Sequence, residues 1–99
     1  MYKLEYLPSA NIDIMEAEAY LYEFSQTAAD KFSEAIDRQM ALLISRPFMY
    51  PVYKDRKYFR CILLPYKYLC FYHADETAQA VTIHRVIRGM RDIQNILFK

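Results

Sequence analysis

At Pro47 the chain changes its hydrophobic period, and that change constrains the fold more than any single motif. Before it, Ala10, Ile14, Ala17, Leu21 and Phe24 recur at steps of three and four, as do Ala28, Phe32, Ala35, Ile36, Leu42 and Leu43. Such spacing puts each set on one face of an α-helix. After it, KYFRCILL, KYLCFYHA and AVTIHRVI are dense in aromatic and branched residues, which suits strands. Pro47 is the natural boundary, because it lacks an amide donor and disfavours helix in the residue before it.

The remaining punctuation gives an element order. Tyr2 to Leu7 alternates as a short first strand, and Pro8-Ser9 stops it and offers Ser9 as a helix cap. The first helix is predicted from about Ala10 to Phe24. Thr27 and Asp30 form a weak capping box for a second helix ending at Arg46. Pro47 to Tyr53 reads as irregular, LPYK as the turn of a hairpin, and Gly89 as the break after the last strand. Met90 to Leu97 has the pattern of a short final helix. The prediction is a single α+β domain over residues 1–99, β-α-α-β-β-β, with a helical hairpin packed on a small antiparallel sheet.

If the hairpin turn centres on Pro65-Tyr66, Cys61 faces Cys70. Directly opposed residues have Cβ atoms roughly 4.5–5.5 Å apart, wider than a disulfide usually needs. The two are therefore expected as packed thiols.

Several functional classes are excluded by composition. Two cysteines at this spacing form no metal-binding motif, and one glycine cannot build a phosphate-cradling loop. Neither metal nor cofactor is expected. No apolar run nears the roughly 18 residues of a membrane span. The opening MYKLEYLPSANID lacks the apolar core of a signal peptide, so a cytoplasmic chain with no membrane partner is expected.

Charge is distributed unevenly. Residues 1–50 carry four basic and eight acidic residues, a net −4; residues 51–99 carry nine basic and four acidic, a net +5. The basic residues fall in two groups. Lys54, Arg56, Lys57 and Arg60 lead into the second strand, while Arg85, Arg88 and Arg91 close the last one. An antiparallel meander can bring the groups together as a phosphate-binding patch. Tyr50, Tyr53, Tyr58 and Phe59 are interleaved where bases could stack. The alternative is a solvated basic edge that blocks strand pairing. His73 and His84, within or ending strands, read as structural. A second apolar stripe on the first helix, Ile12, Met15, Ala19 and Tyr22, faces either the second helix or a partner.

These pieces together resemble the RelE/ParE superfamily of bacterial toxins. The resemblance runs through the opening strand with YLPSA, then YLYEFS, AADKFSEAI, LLISRPFMYP, YFRCI, YLCFYHAD and VTIHRVIRGMRDI. It implies the same β-α-α-β-β-β fold and a type II toxin with a cognate antitoxin, for which Ile12, Met15, Ala19 and Tyr22 are the candidate binding stripe. RelE-like members cut messenger RNA on the ribosome; ParE-like members poison DNA gyrase. For RNA cutting, the resemblance makes Arg60, Arg91 and Lys54 the candidate catalytic residues. Lys54, Arg56, Lys57, Arg85 and Arg88 are the candidate nucleic-acid contacts. The chain departs from RNA-cutting relatives at three places. Phe48 stands where some carry a carboxylate base, Arg88 where many carry histidine, and ILFK lacks their late tyrosine or histidine. Ribosome-dependent cleavage is the first expectation, gyrase inhibition the alternative, and a decayed toxin retaining only the fold the third.

Overall fold

A computed structural model describes residues 1–53 and 56–89, with side chains for 1–53 and 58–89. In these, β1 (Lys3–Tyr6) is followed by α1 (Pro8–Tyr22), α2 (Gln26–Leu43), β2 (Val52–Tyr53), β3 (Arg56–Leu64), β4 (Tyr68–Asp75) and β5 (Ala80–Arg88). The α+β class and the order of helices and strands agree with the sequence reading. The sheet is mixed rather than wholly antiparallel. Its order is β1-β5-β4-β3-β2, and β1 runs parallel to β5. The two helices return the chain to the far side of the meander, so β1 docks on β5 in the same direction. The added strand β2 is two residues cut from the segment expected to be irregular. The expected helix at Met90 to Leu97 lies outside the described residues.

Helix boundaries follow local chemistry. Pro8 occupies the first turn of α1, where a missing amide hydrogen costs nothing. Ser9 is therefore inside the helix rather than capping it, and its hydroxyl donates to the His84 carbonyl at 3.0 Å. The second helix is capped by Ser25, whose hydroxyl accepts from the Ala28 amide at 2.9 Å. The expected Thr27–Asp30 box thus falls within α2, two residues late. Ending α1 at Tyr22 leaves Phe24 in the connection and 70% exposed, although its spacing marked it as core. Leu42 is likewise exposed, and Met40 takes the interior position.

The core lies between the helical hairpin and one face of the sheet. Ala10, Ala17 and Leu21 from α1 and Phe32, Ile36 and Leu43 from α2 meet Ile62, Cys70, Tyr72, Val81 and Ile83. Each large side chain so buried contributes about 1.5–3 kcal/mol. A smaller cluster of Phe59, Phe71 and Ile87 sits on the opposite face. Helix-to-helix contact includes a hydrogen bond from Ser33 to the Glu18 carboxylate.

The β3–β4 register differs from the expected one by one residue. Leu64 pairs with Tyr68 and Ile62 with Cys70, so Cys61 faces Phe71 instead of Cys70. The cause is the turn. Pro65–Lys67 forms a three-residue 3₁₀ link in which Tyr66 (φ 63°) and Lys67 (φ 65°) are left-handed. A one-residue change moves a side chain to the other face. Cys61 consequently joins the outer cluster and Cys70 the core. Gly89 closes this end: its amide donates to the Lys67 carbonyl at 2.7 Å, and a Cβ there would stand 3.2 Å from that oxygen.

Candidate functional site

The candidate strand arginine, Arg60, lies opposite Tyr72 on the helix side of the sheet. One terminal nitrogen of its guanidinium donates to both the Tyr50 carbonyl, at 2.5 Å, and the Phe48 carbonyl, at 3.3 Å. It also stands 5.2 Å from the centre of the Phe48 ring. Arg60 therefore staples the 47–51 segment to β3. The phenol nearby is Tyr72, which donates to the Pro47 carbonyl at 2.8 Å. Burial, partly offset by the Arg60 charge, pushes its pKa up to about 12. A phenol so held is a poor proton acceptor at neutral pH.

Arg85 is held elsewhere. Tyr72 pairs with Ile83 and Phe71 with Arg85, leaving His84 as an extra residue in β5. This bulge turns Arg85 toward α1, where its Nε donates to Asp13 Oδ2 at 2.7 Å and its terminal nitrogen to Oδ1 at 3.0 Å. The Val86 amide donates to Oδ2 at 2.9 Å. The hydrogen bond to Asp13 raises the Arg85 pKa above its usual value, against the opposing effect of burial.

Arg88 ends β5. It donates to the Tyr20 hydroxyl at 3.1 Å, with its guanidinium carbon 4.9 Å from that ring's centre. Arg60 and Arg88 do not converge as expected. Through β4, Arg88 stands level with Leu64, four residues along β3 from Arg60. Four strand residues span about 13 Å. Lys54 and Arg91 lie outside the described residues, as do the side chains of Arg56 and Lys57.

On the opposite sheet face the histidines sit among rings. Tyr58 stacks on His73 with centroids 3.9 Å apart, and Phe59 meets His84 edge-on at 4.8 Å. Burial, and then the nearby His73, lowers the His84 pKa. Among the described residues, no group of three or more His, Cys, Asp or Glu could hold a metal ion. No helix there is long and apolar enough to cross a membrane.

The second stripe of α1 is turned outward. Ile12 is 56% exposed, Met15 68% and Tyr22 62%, and Ala19 is exposed beside them. None of the four joins the core. Sequence reasoning missed Asp13 and the flank of α1 beside β5. The signal was present, since an aspartate set among Ala10, Ala17 and Leu21 occupies a core phase and calls for a cationic partner. Beside it, Glu16, Tyr20, Tyr68, Ile87 and Arg88 help line a cleft of about 370 Å³.

Comparison with known proteins agrees with this architecture. The family model described as ParE toxin of type II toxin-antitoxin system, parDE, matches residues 4–93. A solved structure described as the chromosomal ParDE TA system from P. aeruginosa contains a similar chain. The similarity has a TM-score of 0.69 at 16% identity, over 89% of this chain and 96% of that one. At that identity the likeness is one of fold. No curated protein matches the chain. With the family model spanning β1 to beyond β5, this chain belongs to the ParE family of type II toxin–antitoxin toxins.

Proposed function

We propose that this toxin arrests growth by binding DNA gyrase rather than by cutting RNA, and that a cognate antitoxin neutralises it. The observation that carries the reading is the setting of Arg60, drawn onto the 47–51 backbone beside the ring of Phe48. A strand arginine serving RNA cleavage needs a proton-transfer partner beside it. Here one terminal nitrogen of the guanidinium donates to two backbone carbonyls, and the group lies over Phe48, a ring that can transfer no proton and stands where the resemblance places a carboxylate base in some RNA-cutting relatives. Membership of the ParE family points the same way. The exposed stripe Ile12, Met15, Ala19 and Tyr22 is the surface offered to the antitoxin. An apolar helix face at i, i+3, i+7 and i+10 suits a partner helix or strand.

Ribosome-dependent mRNA cleavage, with Arg60, Arg91 and Lys54 as catalytic groups, is the second reading. It is favoured by the place of Arg60 in YFRCI. The distinguishing experiment uses one preparation of purified chain in two assays. Inhibition of gyrase supercoiling at micromolar protein, with mRNA intact on translating ribosomes, supports the proposal. Unimpaired supercoiling with mRNA cut on the ribosome replaces it by the second reading. Neither effect, from folded protein, leaves a chain that has kept only the fold.

A further inference from the structure

We infer that the cleft between the end of α1 and the β3–β4 turn takes an acidic peptide segment of a partner protein, with an aromatic side chain as anchor. Three observations converge there. The first is shape and lining. Tyr20, Phe24, Tyr66 and Tyr68 help enclose a cleft of about 290 Å³, with Leu21 and Ala28 as its floor and Arg88 on its wall. Four aromatic rings around one space suit a ring or large aliphatic group, which packs against their faces and edges.

The second is charge. Arg88 also lines the neighbouring cleft beside Asp13 and Glu16. Among the described residues its side chain donates to the Tyr20 hydroxyl and pairs with no carboxylate. A guanidinium presents a planar fork that two carboxylate oxygens can match. Asp13, by contrast, already has its cation in Arg85. Among the described residues that line the two clefts, Arg88 is thus the cation open to an incoming acid.

The third is backbone conformation. Tyr66 and Lys67 are consecutive bulky residues in the left-handed region, which sets Tyr66 at the mouth of the cleft, 43% exposed. Such strain persists only where surrounding contacts enforce it, here including the bond from the Gly89 amide to the Lys67 carbonyl.

The local charge also selects a peptide over a nucleic acid. Glu16 lines the adjoining cleft together with Arg88, which puts an acid near that cation. A chain of phosphates running from one cleft into the next would meet the repulsion of Glu16, whereas one carboxylate beside one aromatic group would meet Arg88 within its own cleft. The site is separate from the α1 stripe of Ile12, Met15, Ala19 and Tyr22, none of which lines it. It holds whichever macromolecule the toxin inhibits.

The chain contains no tryptophan, so a tryptophan probe reports binding without background. The experiment titrates folded toxin into acetyl-Ser-Asp-Trp-Ser-amide and into its Asn isostere, reading emission wavelength and anisotropy. A saturable blue shift is expected with a Kd below about 1 mM, and about fivefold weaker binding of the Asn peptide, the scale of one partly screened charged contact. Arg88→Gln should erase the preference for Asp over Asn. Phe24→Ala, at an exposed position that leaves the core intact, should weaken both peptides. Absence of saturable binding, or equal affinity of the two peptides, overturns the inference. So does an Asp preference that survives Arg88→Gln. Displacement of the peptide by oligothymidylate at lower concentration than by free peptide would make the cleft a nucleic-acid site instead. Dimerisation of the free toxin that Phe24→Ala abolishes would give the cleft to a second copy.

Discussion

Asp13 of α1 grips the bulge of β5 through both carboxylate oxygens, one shared by the Arg85 guanidinium and the Val86 amide. The carboxylate is 9% exposed, so removing it leaves the buried Val86 amide without its acceptor and takes the ion pair from Arg85. Asp13→Ala is expected to lower stability by about 2–4 kcal/mol, below the full value for a wholly buried pair because Arg85 is partly solvated. Asp13→Asn should cost less, since its amide oxygen still accepts. Urea unfolding midpoints with unchanged slopes would check both.

Arg60 is expected to behave as a staple. Arg60→Ala should destabilise the domain by about 1–2 kcal/mol through the lost bonds to the 47–51 segment. Growth inhibition should remain once corrected for the folded fraction. Loss of toxicity with an unchanged melting temperature would return Arg60 to catalysis and count against the gyrase reading.

The outward stripe of α1 is expected to separate binding from folding. Met15→Glu and Tyr22→Glu should shift stability by no more than about 0.5 kcal/mol, as exposed substitutions do. Both should sharply weaken capture by the cognate antitoxin, measured by co-purification of the pair. Unimpaired capture by the double variant would remove the stripe from the antitoxin interface.

His84 gives the fold a pH dependence whose sign is fixed. Its folded pKa lies below the ordinary 6.5, because burial opposes the charged form. Above 6.5 both folded and unfolded chains hold it neutral, and its contribution is complete. As the pH falls below 6.5, the unfolded chain binds a proton that the folded chain resists, and stability declines. Denaturation on either side of pH 6.5 should show this loss, and His84→Gln should reduce it.

The cysteines test the register. Cys61 lies on the outer face and Cys70 in the core, so an intramolecular disulfide should not form on mild oxidation. Burial pushes the Cys61 thiol up to about 11 and the Cys70 thiol further. Alkylation near neutral pH should therefore be slow at Cys61 and should await unfolding at Cys70. A native disulfide detected by mass spectrometry would contradict the three-residue turn.

Much of this molecule was legible in its residues. The switch of hydrophobic period at Pro47 separated the helices from the meander, and steps of three and four picked out Ala10, Ala17, Leu21, Phe32 and Ile36 as interior. The spacing of Ile12, Met15, Ala19 and Tyr22 set them on one α1 face, which the fold turns outward. Helix ends were less legible. Whether Ser25 or Thr27 caps α2 depends on where the connection from α1 turns, and the two hydroxyls look alike in sequence.

The sequence by itself determined which segments become helix or strand, because periodicity and proline act within a few residues. Only the tertiary structure decided which partners those segments meet. Pairing Cys61 with Phe71 depends on two left-handed residues at the turn, and an Asp13 partner 72 residues away depends on a bulge at His84. The same holds for the arginines, which looked like one basic patch along the chain. Folding divides Arg60, Arg85 and Arg88 among a loop, a helix and an aromatic cleft. Strand register and bulge position, rather than charge, set where each guanidinium points.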